Sequence, residues 1–377
     1  LLYTNLKYFQ PGQVRSTVCA VFPGNEYWVP KIADLGVPVR NLNCSGRDRL
    51  LSAVPRLIRI FRQDRPDLIH THLWSASVLG RIAGRLLGIP VISSIHNPDH
   101  EETSWNDGAA VSKTKRVLAR EIDRWTAWFG CSRVIAVSKY VQKSAHRHLR
   151  IPTDKMNILY NPVDLDILRA RPNIRRDRLL AELGLPKESK LLLNVGRISP
   201  QKGLLYLLQA LPSVLQAHPD AVVISVGAGD DQKWVERVRG EIEHLGLQQH
   251  TRLLGQRSDV GDLLKHCDLF VFPSLYEGLG IALIEALAAG CTCVATTAGP
   301  LTELIDHGIN GWLVEPGDAA GLADAISLLL SSEDLRQNLA AAAAKSVQAR
   351  FEPKAAAIRL VDIYRSVVRE TSYVGER

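Results

Sequence analysis

Residues 274–290, SLYEGLGIALIEALAAG, set the class of fold because they lead through a glycine turn into a helix. The mostly apolar residues 268–272 before them predict a buried parallel strand, and the periodicity of residues 281–289 predicts the helix. Gly278 and Gly280, in the turn, let the backbone approach a ligand closely. A diphosphate fits the start of such a helix, because free N–H groups and the helix dipole favour anions there.

Two carboxylates flank this helix start. Glu277 and Glu285 stand eight positions apart, one in the turn and one in the helix. A carboxylate cannot hold a phosphate, so we expect each to accept hydrogen bonds from hydroxyls, such as those of a ribose or another sugar. The alternative is a capped helix with two solvated glutamates, because the spacing of two glutamates is by itself weak evidence for a ligand site.

A second turn of the same kind supports the ligand interpretation. Residues 191–195 predict a strand, GRISPQKG follows at residues 196–203, and residues 204–215 have helical periodicity. Arg197 and Lys202 then place two cations at the carboxyl end of a strand, where open α/β sheets bind ligands. A nucleotide diphosphate needs such partners for its charges. Seen alone, the two cations could equally be ordinary surface residues beside a loop.

Four motifs, GRISPQKG, VGAGD, YEGLGIALIEALAAG and GINGWLVEPGD, in this order and spacing, resemble family 4 of the retaining glycosyltransferases. The resemblance covers most of the chain and is strongest over residues 191–330. It implies an α/β protein of GT-B architecture, in which two Rossmann-like domains face across a cleft. It also implies transfer of a hexosyl or N-acetylhexosaminyl group from a nucleotide-sugar donor, with neither a metal nor a cofactor. Leu279 and Pro300 depart from the usual Phe and Gly, and neither change removes a side-chain polar contact.

The resemblance also implies roles for individual residues. Arg197 and Lys202 match the phosphate-binding pair, Glu277 the carboxylate near the transferred sugar, and Glu285 the ribose-binding glutamate. His96 matches a cleft histidine near the reacting sugar, and we expect it to act in catalysis with Arg197, Lys202 and Glu277. We expect the donor also to contact turn residues: Gly196, Gly255, Gln256, Val260, Gly278, Leu279, Gly280 and Ile281.

Two more histidines end a strand close to His96 in the predicted sheet. His70 and His72 close one predicted strand and His96 the next, so all three should line the carboxyl edge of the first sheet. We interpret His70 and His72 as ordinary strand-end residues, and a direct role of either at the cleft is the alternative.

Alternating strand and helix patterns predict a parallel sheet in each half of the chain. We predict an acceptor-side domain at 1–163 and a nucleotide-sugar domain at 164–350, joined by a turn-rich hinge. By resemblance, a helix in 351–377 crosses back to the first domain, and the first domain is truncated at its N-terminus. The predicted strands are 16–22, 67–71, 90–95, 133–138 and 157–159, then segments near 191, 222, 252, 269, 293 and 312.

Composition and charge bound the possible partners. The chain has 377 residues, 46% of them hydrophobic and 23% charged, which is typical of a soluble globular protein of about two domains. Residues 1–163 carry 23 lysines and arginines against 12 acidic residues, a net charge of +11, whereas the remainder carries −4. Two basic segments, residues 47–65 and 113–129, are candidates for an anionic membrane surface, or are ordinary amphipathic helices. No nucleic-acid motif is present, so we expect no nucleic acid.

We therefore predict a glycosyltransferase in polysaccharide biosynthesis that uses a UDP- or GDP-sugar and a glycan or lipid-linked acceptor. We expect it in the cytoplasm, peripheral to the inner membrane face. A nucleotide-sugar 2-epimerase is one alternative, and it would interconvert its substrate without an acceptor. A non-catalytic sugar-nucleotide-binding protein is another, and it would bind the donor without releasing nucleotide diphosphate.

Overall fold

The computed structural model describes residues 1–23, 27–44, 52–102, 104, 111–164, 174–229, 231–348 and 350–375. The chain divides into two compact units. Unit 1 comprises Leu1–Glu101, Ala110–Pro162 and Phe351–Arg377, and unit 2 comprises Glu102–Ala109 and Val163–Arg350. Both units are α/β with parallel sheets, which confirms the predicted fold class.

Unit 1 is built on a four-stranded parallel sheet of order β3-β4-β5-β6, and its first two strands pair separately. Its elements are α1 Leu2–Tyr8, β1 Val18–Ala20, α2 Trp28–Ala33, β2 Val39–Asn41, α3 Ala53–Asp64, β3 Ile69–His72, α4 Trp74–Leu87, β4 Val91–Ile95, α5 Lys113–Gly130, β5 Arg133–Ala136, α6 Lys139–Leu149 and β6 Met156–Ile158. Every predicted strand of this half has a counterpart, although most are shorter than predicted. β2 was not predicted. Residues 45–51, within which the first basic segment begins, lie outside the described residues.

The last helix of the chain belongs to unit 1. This helix, Pro353–Gly375, is called α14 below because it follows the seven helices that the structure describes in unit 2. Its Leu360 is buried in one hydrophobic cluster with Ile92 and Ile135 of the sheet, and Tyr364 packs against the same cluster. The final segment therefore completes the core of the unit that contains the start of the chain.

Unit 2 contains a six-stranded sheet of order β12-β11-β10-β7-β8-β9, in which each described pairing is parallel. Its elements are α7 Arg176–Glu182, β7 Lys190–Val195, α8 Leu204–Ala217, β8 Ala221–Val226, α9 Gln232–His244, β9 Thr251–Leu253, α10 Val260–His266, β10 Leu269–Phe272, α11 Ile281–Ala288, β11 Cys293–Thr296, β12 Trp312–Val314, α12 Ala319–Ser331 and α13 Glu333–Gln348. All six predicted strands are present.

The strand order positions the candidate site. From β7 the chain proceeds through β8 to β9 on one side, and then returns to place β10 on the other side of β7. The order of strands thus reverses between β7 and β10, and open α/β sheets bind ligands outside the carboxyl ends of strands at such a point. GRISPQKG follows β7 and SLYEGLG follows β10, so both motifs lie at this reversal.

Within the described residues, no helix combines the length and apolar character needed to cross a bilayer.

Candidate active site

The turns that follow β7 and β10 are joined by hydrogen bonds. The backbone N–H of Leu275 donates to the carbonyl of Gln201 at 2.8 Å, and Gln201 Nε2 donates to the carbonyl of Tyr276 at 3.1 Å. Gly203 has a φ of +65°, and a Cβ there would lie 1.9 Å from the carbonyl oxygen of Pro273. Only glycine can therefore occupy this position with the turns this close.

Lys202 and Glu277 form an ion pair where these two turns meet. Lys202 Nζ lies 2.5 Å from Glu277 Oε1, and the hydroxyl of Ser274 donates to the same oxygen at 2.9 Å. Glu277 is only 4% exposed, and the ammonium also lies 5.1 Å from the ring centroid of Phe272. A buried carboxylate is costly unless it is paired and hydrogen-bonded, and here it is both. Ser274 and Gln201 were not singled out as site residues, although both lie within the quoted motifs.

The turns after β8 and β9 extend the same edge of the sheet. Gly227 donates its N–H to the carbonyl of Gly255 at 2.8 Å, and a Cβ on Gly227 would lie 2.0 Å from the carbonyl oxygen of Gly196. Ile198 donates to the carbonyl of Ala228 at 3.0 Å. Three consecutive turns are thus packed backbone against backbone, which leaves little room for side chains between them.

Helix α11 begins at this edge, and Gly280 is the N-cap residue directly before it. Gly280 has a φ of +87°, and the helix has no side-chain hydrogen bond at its N-terminus. Glu285 lies one turn inside the helix, where burial raises the pKa of its carboxyl to about 7. Among the described residues no side chain donates a hydrogen bond to this carboxylate. The helix start therefore presents N–H groups together with an acid that titrates near neutral pH.

The remaining predicted donor residues lie at the carboxyl ends of these same strands. Gly255 and Gln256 follow β9, and Val260 begins α10. Arg197 is exposed in the turn after β7. Gly278 and Leu279 are buried in the turn after β10, and Ile281, the first residue of α11, is exposed.

The fourth predicted catalytic residue, His96, lies in unit 1, whereas the others lie in unit 2. His96 Nε2 and His72 Nδ1 are 2.9 Å apart and share a hydrogen bond, and the two rings stack with centroids 5.2 Å apart. His70 Nε2 pairs with the hydroxyl of Ser94 at 2.8 Å, and its Nδ1 pairs with that of Tyr364 at 2.6 Å. His72 is therefore a direct hydrogen-bond partner of His96.

Burial makes these histidines poor bases. It lowers the pKa of His96 to about 4 and that of His70 to about 3, and it depresses the pKa of His72 as well. Near neutral pH all three rings are uncharged, so each can donate one hydrogen bond and accept another. These three histidines can orient a ligand by hydrogen bonds, but they do not supply a positive charge. Among the described residues, no group of three or more histidines, cysteines or acids is arranged to hold a metal ion.

Comparison with known proteins identifies the family of this chain. The family model described as Glycosyl transferases group 1 matches residues 175–346, and that described as Glycosyltransferase Family 4 matches residues 9–167. An uncharacterized glycosyltransferase of Methanocaldococcus jannaschii is 30% identical over 310 residues, which are 80% of this chain and 76% of the relative.

Two relatives with named activities are similarly close. The UDP-Gal:alpha-D-GlcNAc-diphosphoundecaprenol alpha-1,3-galactosyltransferase of Escherichia coli is 29% identical over 72% of this chain and 68% of its own length. The phosphatidyl-myo-inositol mannosyltransferase of Mycobacterium leprae is 30% identical over 82% of this chain and 75% of its own. These relatives are glycosyltransferases, which favours sugar transfer over the epimerase and binding-protein alternatives.

Solved structures share the fold. Anabaena HepE, in its complex with UDP-glucose, aligns with a TM-score of 0.84 at 23% identity, over 97% of this chain and 94% of that one. The sucrose-phosphate synthase of Thermosynechococcus elongatus aligns with a TM-score of 0.77 at 21% identity, over 94% and 88% of the two chains.

Proposed function

This chain belongs to family 4 of the glycosyltransferases, and from that premise we propose that it transfers a sugar from a nucleotide diphosphate to a lipid-linked or polysaccharide-precursor acceptor. The donor is a UDP- or GDP-sugar, and the group transferred is a hexosyl or N-acetylhexosaminyl residue. Transfer proceeds with retention of the anomeric configuration and without a metal ion. The names of the two relatives support this choice, because one includes UDP-Gal with a diphosphoundecaprenol-linked sugar and the other includes phosphatidyl-myo-inositol.

The pairing of Lys202 with Glu277 at the reversal of strand order carries the proposal. Lys202, Arg197 and the N–H groups at the start of α11 bind the diphosphate. Glu277 accepts hydrogen bonds from hydroxyls of the transferred sugar, and Glu285 accepts them from the ribose. The glycine turns bring the backbone of Gly196 and Gly278 against the donor, and the residues after β9, Gly255, Gln256 and Val260, lie beside the base.

The chemistry follows from these roles. The acceptor oxygen forms a bond to the anomeric carbon while the bond from that carbon to the phosphate oxygen breaks, and the bonding pair leaves with the diphosphate. The proton of the acceptor hydroxyl passes to the leaving phosphate oxygen on the same face, which gives retention. Arg197, Lys202 and the N–H groups at the start of α11 stabilise the negative charge that develops on that oxygen. His96, uncharged at neutral pH, hydrogen-bonds the transferred sugar.

The test is an assay of nucleotide diphosphate release. UDP-, GDP- and ADP-sugars are offered with a polyprenyl-diphosphate-linked acceptor, with and without EDTA, and the product is examined by NMR. We expect release that requires the acceptor and is unchanged by EDTA, with the donor's anomeric configuration kept in the product. Inversion of that configuration would contradict the retaining mechanism, and loss of turnover in EDTA would contradict metal independence.

We also propose that the enzyme acts in the cytoplasm and associates with an anionic membrane surface. The lipid acceptors in the names of the two relatives support the association with a membrane. The basic charge of residues 1–163 suits such a surface.

A further inference from the structure

Helix α5 carries an apolar stripe on its solvent side. The stripe consists of Leu118, Ile122, Trp125 and Phe129. The last three follow Leu118 by four, seven and eleven positions, which places all four on one side of the helix. Their side chains are between 36% and 60% exposed. We call these four residues the α5 stripe. An exposed apolar stripe of this length indicates an interaction surface, because an amphipathic helix ordinarily turns such a side inward.

The inward side of α5 is held by a charged residue. Asp123 is buried, and it accepts hydrogen bonds from Arg81 at 2.6 Å and from His100 at 2.9 Å. Arg81 is itself only 1% exposed and also donates to Ser93 of β4 at 2.9 Å. Turning the α5 stripe inward would expel Asp123 and leave Arg81 as a buried, unpaired charge, which is strongly unfavourable. The helix is therefore fixed with its apolar side outward.

The aromatic rings at the end of the stripe are ordered against one another. Trp125 and Phe129 are stacked, with centroids 5.6 Å apart and planes 11° apart. Trp128 meets Phe129 edge to face at 4.8 Å and is also exposed. Rings arranged in this way present a large apolar area, and tryptophan favours the boundary between lipid and water.

The charge of α5 selects the occupant of this surface. The helix carries five cations, Lys113, Lys115, Arg116, Arg120 and Arg124. Its two acids are both engaged, because Asp123 is buried with Arg81 and Glu121 pairs with Arg120 and Arg124. A second copy of the chain would bring another basic helix against this one, and the like charges would repel. An anionic surface is complementary both to the cations and to the aromatic stripe.

We propose that the α5 stripe, with Trp128 and the cations of α5, seats the protein on a bilayer that contains anionic lipid. This inference rests on the proposed function in one respect, since a lipid-linked acceptor would be embedded in that bilayer. The stripe then enters the headgroup region, and the cations meet the lipid phosphates.

The experiment measures sedimentation of the full chain with phosphatidylcholine vesicles that contain or lack phosphatidylglycerol. We expect wild type to sediment with the anionic vesicles, and Trp125→Gln/Phe129→Gln to lower the partition coefficient by about tenfold or more. Lys113→Glu/Lys115→Glu should lower the partition coefficient by about fivefold for each cation removed, and only when phosphatidylglycerol is present. The matched control is Leu328→Gln, which removes an exposed leucine from α12 of unit 2 and should leave binding unchanged.

Circular dichroism and calorimetry with sugar nucleotides complete the test. Loss of vesicle binding in a variant that keeps its helix content and donor affinity supports the docking surface. If neither wild type nor any variant binds a sugar nucleotide, but wild type still binds the anionic vesicles, the result counts against the proposed function and not against the docking surface. The inference is overturned if Trp125→Gln/Phe129→Gln sediments like wild type, or if wild type binds both kinds of vesicle equally. A wild-type dimer that this variant loses, seen by light scattering, would also overturn it, because a second copy would then cover the stripe.

Discussion

Lys202 and Glu277 are 75 residues apart in the sequence, and their charged atoms meet at 2.5 Å at the carboxyl edge of the unit 2 sheet. Glu277 is buried and Lys202 is half-buried, and their pairing offsets the cost of removing the carboxylate from water. The same two groups are those we assign to the diphosphate and to the transferred sugar. We therefore expect binding of the two halves of the donor to be coupled through this one ion pair rather than divided between independent contacts.

The first prediction is that Lys202→Met and Glu277→Gln have effects that do not add. Each single variant should lower kcat/KM by about 10²- to 10³-fold, because it removes stabilisation of the transition state and leaves its partner unpaired. The double variant should be no worse than the poorer single variant, because the pair is already broken in each. Steady-state release of nucleotide diphosphate by the three variants measures this.

Lys187→Met serves as the control, because this lysine of unit 2 is exposed and lies before β7, away from its carboxyl end. Its kcat/KM should equal that of wild type. If the double variant lost the product of the two single losses, Lys202 and Glu277 would act independently and the coupling would be refuted.

The second prediction compares two glycines with the same backbone angle. Gly184 and Gly203 both have a φ of +65°, but a Cβ on Gly184 would meet nothing within 4 Å, whereas one on Gly203 would lie 1.9 Å from the carbonyl of Pro273. Gly184→Ala should lower the free energy of unfolding by about 1 kcal/mol, which is the conformational penalty alone. Gly203→Ala should cost about 3 kcal/mol or more and weaken donor binding, because the two turns must separate.

Urea denaturation measures both costs, and calorimetry with the donor measures the second effect. Equal stability losses in Gly184→Ala and Gly203→Ala would show that the two turns can separate without cost.

The sheet of unit 2 could be predicted because its central strands are buried on both faces. Residues 191–193 and 221–224 are therefore continuous apolar runs, which are typical of parallel strands. Right-handed crossovers then bring every turn that follows a strand to the same edge, so the motifs could be expected to converge. The short strand β2, Val39–Asn41, was missed because three residues with mostly exposed side chains carry no apolar period.

The contacts between these elements could not be predicted. Nothing near Arg81 marks it as buried, since its partner Asp123 is 42 residues away. The pattern of residues 113–129 indicates an amphipathic helix, but only the pairing with Arg81 decides that its apolar side faces solvent. In the same way, motif spacing placed Lys202 and Glu277 near one edge without showing that they touch. Pairings between distant residues depend on how elements pack, which local periodicity does not encode.

The third prediction concerns the buried pair of Arg81 and Asp123. Arg81→Met keeps the length of the side chain but leaves Asp123 buried with His100 as its remaining ionisable partner, so the free energy of unfolding should fall by about 3–5 kcal/mol. The control is Arg365→Met, which breaks an exposed pair with Asp362 at 3.9 Å and should cost at most about 1 kcal/mol. Urea unfolding of both variants measures the difference, and similar midpoints would contradict the assigned role of the buried pair.

The fourth prediction is a dependence of stability on pH that Glu285 causes. Burial raises the pKa of its carboxyl from 4.5 to about 7. The unfolded chain releases this proton near its ordinary pKa while the folded chain retains it, so stability falls as pH rises across this window and stays reduced above it. Glu285→Gln removes the penalty. Its Tm should therefore exceed that of wild type at about pH 8 and approach it at about pH 4, as calorimetric scans would measure.

Donor binding should respond to the same proton in the opposite direction. Ribose hydroxyls donate to the ionised carboxylate, so affinity for a sugar nucleotide should rise with pH and level off above about pH 7, by up to about tenfold per unit below the pKa. The diphosphate of a sugar nucleotide has no ionisation of its own in this range, so the slope reports the protein. Glu285→Gln should bind more weakly above neutral pH and show no such slope in calorimetric titrations. A slope that persists in this variant would assign the proton to another group and remove Glu285 from the ribose site.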